Sequence, residues 1–269
     1  MTLAINFNET AVNNGLDYIL SHFEHQTQLW PRTISTKTTE GIQVKVYSKE
    51  EAIARFKQAN FEDCRISAYP YWRPSIVSEF AEIKNAIAPN FIMIDLDLST
   101  FDFDDNALLR ALKQTLRKIK ELLQLCSPTV IWSGNGYHIY IPIDAPVLEN
   151  IKELAGIEQV STKFIRFAGW YLSNGKSDPS HNATVSLNNC LLRIPGSINS
   201  KNNAQVRIIS FDPKISRPNI NLLIGSFCAY LTDQEIKESK YRHVVKRSSS
   251  TPSFHNNSIN KNEESIYWI

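Results

Sequence analysis

Apolar and polar positions follow two rhythms along the chain. Gly41 to Tyr47 alternates with a period of two and reads as a strand. Arg65 to Tyr71, Cys190 to Ile194 and Gln205 to Phe211 read as further strands. Asn90 to Leu98 (NFIMIDLDL) is apolar and β-branched enough for a buried strand. Pro128 to Trp132 and Tyr137 to Ile143 are two strands joined by Ser-Gly-Asn-Gly, a hairpin signal. The helical rhythm is clearest from Asp105 to Leu125. Leu108, Leu112, Leu116, Ile119 and Leu123 recur there every three or four residues on one face, and Asp104 or Asp105 can cap the start. Val12 to Phe23, Lys49 to Gln58, Glu149 to Leu172 and Asn219 to Leu231 read as the other helices.

Composition changes the picture at the C-terminal end. Lys237, Lys240, Arg242, His243, Lys246 and Arg247 make a basic stretch, and Ser248 to Lys261 is rich in Ser and Asn. The expectation is a domain over 1–236, then a basic, Ser/Asn-rich linker over 237–269. The apolar end, Ile266 to Ile269, suggests a docking peptide or the start of a truncated helical domain. With 42% hydrophobic and 21% charged residues, the 269-residue chain reads as a soluble globular protein rather than a disordered or fibrous one. Leu222 to Leu231, its longest nearly apolar run, is too short for a membrane span, which needs about 20 residues. Asn6, Asn8 and Glu9 stand where a signal peptide would be apolar, so a cytoplasmic location is expected, with no membrane partner. The net charge of +2 by itself names no partner. Cys64, Cys126, Cys190 and Cys228 form no CxxC pair, so reduced cysteines are expected rather than a zinc site. Arg110, Lys113, Arg117 and Lys120 share a helix face that reads as solvated surface or as a nucleic-acid contact.

Three segments carry chemistry. Asp95 and Asp97 lie two apart on a strand, so both carboxylates project from one face. They read either as ligands for magnesium or manganese or as solvated, capping residues at a strand end. Ser133-Gly134-Asn135-Gly136-Tyr137-His138 places a histidine directly after a glycine-rich turn. Backbone N–H groups in such a turn can hold phosphate oxygens. Leu192 to Lys201 (LRIPGSINSK) runs from a strand into a turn with Arg193, Ser197 and Lys201, a forked donor and a point charge suited to phosphate. Together these describe a metal-dependent nucleotidyl or phosphoryl transfer site.

The order DxD, SGxGxH, RxPGSxNxK resembles the archaeo-eukaryotic primase superfamily, most closely the primase–polymerase branch of archaea, plasmids and viruses. The resemblance covers about residues 65–211. It implies an α+β fold, with an RRM-like sheet packed with helices plus an N-terminal αβ unit. It also implies primer synthesis on a single-stranded DNA template from nucleoside triphosphates, with Mg2+ or Mn2+ as cofactor. By that resemblance Asp95 and Asp97 bind metal and His138 contacts the nucleotide's phosphates. Ser133, Gly134, Asn135, Gly136, Arg193, Ser197 and Lys201 bind the nucleotide, and Arg65 is a further contact. The family places a third metal carboxylate before the RxPGS segment. Spacing puts Asn182 near that place, and Asp178 is the nearest acid. Asp178 completes the triad if it reaches the metal, whereas a neutral Asn182 there weakens it. Primase subunits or a helicase, and association with the nucleoid, are implied partnerships. The alternative is a non-catalytic primase subunit, or a nucleotide or single-strand binding module on the same fold. A metal-dependent nuclease would degrade DNA without added nucleotides.

Overall fold

The structure, a computed structural model, describes residues 2–25, 29–71, 88–124 and 127–248. The elements in chain order are α1 (Thr2–Ser21), β1 (Arg32–Ser35), β2 (Val44–Val46), α2 (Lys49–Gln58), β3 (Arg65–Ser67) and β4 (Phe91–Asp97). There follow α3 (Asp105–Leu123), β5 (Thr129–Trp132), β6 (Gly136–Pro142), α4 (Val160–Leu172) and α5 (Pro179–Thr184). The last are β7 (Leu191–Arg193), β8 (Ile198–Asn199), β9 (Ala204–Gln205), β10 (Arg207–Ser210) and α6 (Asn221–Ser248). The chain divides into two compact units, Met1–Cys228 and Ala229–Ile269. The described part of the second is the continuation of α6. The site lies wholly in the first.

The fold is mixed, with helices and antiparallel sheets. One sheet runs β2-β1-β3-β7 and the other β10-β5-β6-β4, while β8 and β9 form a hairpin. β4 pairs with β6 along its whole length, setting Asp95 opposite His138 and Asp97 opposite Gly136. Strand alternation then sorts β4 by chemistry. Ile92, Ile94 and Leu96 share one face and are fully buried, each contributing about 1.5–3 kcal/mol of apolar burial. Met93, Asp95 and Asp97 share the other and open on a cleft. α3 and α4 pack against β4. In α3, Leu108, Leu112, Ile119 and Leu123 are buried as the spacing predicts, and the Asp104 side chain caps the start by accepting from Asn106 N at 2.8 Å. Residue 125, the expected end of that helix, lies outside the described residues.

Several sequence expectations need correction. β1 escaped the pattern because three of its four residues, Arg32, Thr33 and Ser35, are polar yet buried. Their polar atoms are satisfied inside: Arg32 donates to Ser67 O at 2.6 Å and Leu29 O at 2.8 Å, and stacks over Phe23. The helix expected from Glu149 is a single 3-10 turn, Leu148–Asn150, and α4 starts only at Val160. Gly156 and Gln159, both at positive φ, break the run between. α1 begins at Thr2 rather than Val12. Gln205 to Phe211 is split between β9 and β10, and the strand expected over Gly41 to Tyr47 is only Val44–Val46. α6 continues through the basic stretch to Ser248, where the sequence pattern suggested a linker.

One contact ties the N-terminal helix to the site. α1 crosses the turn after β7 so closely that a Cβ on Gly15 would overlap the Pro195 carbonyl. Gly196 lies against Ala11 in the same way. The helix thus backs the segment that carries Arg193 and Lys201. Among the described residues, no helix is long and apolar enough to cross a membrane.

Candidate functional site

Residues of both sheets line one cleft of about 420 Å³. The second sheet supplies acids and a histidine, and the first supplies arginines.

The acid wall begins where β4 ends. Asp97 caps the 3-10 turn Leu98–Phe101, accepting from Ser99 N at 2.8 Å and Ser99 Oγ at 2.6 Å. Asn135 Nδ2, from the turn between β5 and β6, approaches both its oxygens at 3.1 Å. Asp178 caps α5 through Ser180 N at 3.0 Å, and its own N–H donates to Asp95 O at 2.8 Å. That backbone bond sets the third acid beside the first. Asn182 does not line the cleft; its amide oxygen lies toward Gly169 of α4. Of the two sequence alternatives, the structure therefore brings Asp178 into the cleft. Burial, with Asp178 and then Asp97 as like-charged neighbours, pushes Asp95 up to about 7. Three oxygen-only acids, two of which raise the third, suit a hard divalent cation in their donor chemistry. Asp97 and Asp178 are at present engaged by their capping serines. Among the described residues, no three acid, histidine or cysteine side chains form a closed ligand set.

The cation wall is built by strand register. Arg65 on β3 lies opposite Arg193 on β7. Arg193 donates to Asp63 Oδ1 at 2.7 Å, and its side chain is only 7% exposed. Among the described residues the Arg65 side chain makes no hydrogen bond or close ion pair, yet it lines the cleft. Its pKa is lowered, chiefly by burial and then by Arg193. Arg193 is thus tied to Asp63, while the Arg65 guanidinium stands beside it and feels Asp63 and Asp95 only at longer range, and both have donor geometry suited to an anion. Lys201 reaches the same cleft from the turn after β8.

His138 joins the walls. Arg193 N donates to Tyr140 Oη at 2.9 Å, and Tyr140 Oη lies 3.2 Å from His138 Nδ1. The buried phenol must place its own hydrogen somewhere, and Nδ1 is the acceptor within reach. Nε2 then carries the imidazole hydrogen, 3.5 Å from Asp95 Oδ1. Burial, then the positive charge of Arg193, holds His138 well below the usual histidine range. It is thus a neutral hydrogen-bond donor to the cleft, not a cation.

Of the other sequence candidates, Ser133 and Asn135 line the cleft, whereas Gly134, Gly136 and Ser197 do not. These three shape it instead. Gly134 turns at φ +98, with Asn199 packed against it. Gly136 lies so close to Leu96 O that no side chain fits. Ser197 is fully buried and donates to Ile194 O at 2.6 Å. Sequence reading missed His181, Ser180, Asn189 and Asn199, all of which line the cleft, and Asp63 behind it. His181 was legible in part: it lies three residues after Asp178, which is the same face of one helical turn.

No protein-family model and no curated protein matches the chain. Among solved structures it is similar to one described as the crystal structure of primase RepB′, at 16% identity and TM-score 0.49, covering 89% of this chain and 70% of that one. It is also similar to the catalytic domain of primase RepB′ in complex with initiator DNA, at 17% identity and TM-score 0.44, covering 86% and 98%.

Proposed function

We propose that this protein is a nucleotidyltransferase that synthesises primers on a single-stranded DNA template from nucleoside triphosphates. The observation that carries this reading is that three acids, two arginines and a lysine line one cleft. A nuclease site would hold a single phosphodiester, whereas two arginines and a lysine suit the larger charge of a triphosphate. The order of the three motifs, with its resemblance to primase–polymerases, supports the same reading.

Arg65, Arg193 and Lys201 bind the triphosphate, and His138 donates its Nε2–H to a phosphate oxygen. Ser133 and Asn135, which line the cleft, bring the turn after β5 beside the nucleotide. Asp95, Asp97 and Asp178 would hold Mg2+ or Mn2+. When bound, the metal neutralises phosphate charge and lowers the pKa of the attacking hydroxyl. The like-charge repulsion that Asp97 and Asp178 exert on Asp95 would be relieved by a bound cation.

The test is unprimed synthesis. Single-stranded DNA, labelled nucleoside triphosphates and magnesium or manganese are supplied to the wild type and to Asp95→Ala/Asp97→Ala. Template-dependent oligomers that vanish in the double variant are expected. Intact nucleotide or single-strand binding with no product from the wild type would instead leave a binding subunit on this fold.

A further inference from the structure

Asp63 does not line the cleft, yet it bonds two separate segments that do. One oxygen accepts from Arg193 Nη1 at 2.7 Å on β7. The other accepts from Ser200 Oγ in the turn after β8, and Ser200 N reaches the first oxygen at 3.4 Å. Those segments bring Arg193 and Lys201 to the cleft. The backbone around Asp63 is itself held in an unusual shape. Asn60, Phe61 and Asp63 all have φ between +51 and +59, a region that costs a residue other than glycine about 1 kcal/mol or more. Two bonds to the β8 segment hold it there: Asp63 N to Ile198 O at 2.8 Å and Ile198 N to Phe61 O at 2.9 Å. Hydrogen bonds from Ser200 and Arg193 outweigh burial and keep the Asp63 carboxyl below its ordinary range, so it is ionised at neutral pH.

What separates this from an ordinary structural ion pair is that Asp63 bonds two segments at once, and each presents a cation to the cleft, Arg193 on β7 and Lys201 after β8. Arg65 lies opposite Arg193 in register and lines the same cleft. We propose that Asp63 is a positioning residue for phosphate binding: it holds the Arg193 fork and the Ser200 turn so that Arg193, Arg65 and Lys201 converge on one polyphosphate. The inference deepens the nucleotide-transfer reading and rests on it for the identity of the ligand.

Charge alone and positioning predict opposite signs. Removing an acid beside an anion site tightens anion binding if only charge matters. If Asp63 positions the donors, its removal weakens binding. The experiment is calorimetric titration of inorganic tripolyphosphate into the wild type, Asp63→Asn and Ser200→Ala, with thermal unfolding as a check on folding. Asp63→Asn is expected to bind about tenfold more weakly, and Ser200→Ala to shift the same way by about threefold. In nucleotide incorporation the same variants should raise KM for the triphosphate by similar factors and leave kcat nearly unchanged. Tighter or unchanged affinity in the variants, with only a lower melting temperature, would reduce Asp63 to a structural role. Ser200→Ala carries the same sign test if Asp63→Asn does not fold. A wild type that binds no tripolyphosphate overturns the inference. Should tripolyphosphate binding follow the expected order while no template-dependent product forms, the inference stands and the transfer reading fails.

Discussion

Asp95 is held in the cleft at a cost to the stability of the fold. Its carboxyl is pushed from 3.8 to about 7 by burial and by Asp178 and Asp97. Between those values the folded state holds a proton that the unfolded state has lost, so stability falls as pH rises from about 4 to 7 and then levels off. The difference of about three units corresponds to roughly 4 kcal/mol. Asp95→Asn should therefore be more stable than the wild type at pH 8, by up to about 4 kcal/mol, without added divalent cation. That gain should disappear by pH 4. Urea unfolding of the two proteins across pH measures this directly; a constant difference would mean that burial and its acid neighbours do not raise Asp95. At pH 8, saturating magnesium should stabilise the wild type more than the variant, because the cation relieves what the substitution removes. Asp95 and Asp97 were visible in sequence because two acids in an apolar run demand a reason. Asp63 was invisible because its partners, Arg193 and Ser200, lie far along the chain.

At the scale of elements, the site depends on backbone approaches as much as on side chains. β6 can pair with β4 up to Asp97 only because residue 136 has no side chain to strike Leu96 O. Gly136→Ala should cost about 1–3 kcal/mol in unfolding free energy, as overpacking does, and should slow nucleotide incorporation because Asp97 and Asn135 move with the strand end. A substitution that leaves both stability and rate unchanged would show that this close approach does not hold the acid wall. The elements most legible in sequence were those with a long, clean pattern. α3 shows its apolar face, β4 its apolar run and the β5–β6 hairpin its glycine turn. The illegible ones had their pattern set by tertiary partners. β1 buries polar residues that the neighbouring strands and Phe23 satisfy. The helical spacing after Glu149 is interrupted by positive-φ residues that hydrophobic periodicity does not register.

The molecule as a whole divides the labour between its sheets. The acids belong to β4 and to α5 beside it, and the arginines belong to β3 and β7 of the other sheet. The Arg193–Tyr140–His138 chain of hydrogen bonds links the two. Sequence order revealed the motifs but not this opposition, because β3 and β7 are paired across a long stretch of chain. That register is what makes Arg65 an equal of Arg193. The most direct measurement is the affinity for ATP of the wild type, Arg65→Ala and Asp95→Ala, each with and without magnesium. With magnesium, the wild type should bind at least about tenfold more tightly than either variant. Without it, Arg65→Ala should still bind weakly, whereas Asp95→Ala should match or exceed the wild type, since it lacks a repelling acid. An Asp95→Ala protein that responds to magnesium like the wild type, or an Arg65→Ala protein with undiminished affinity, would contradict a cleft in which one wall holds the metal and the other the triphosphate.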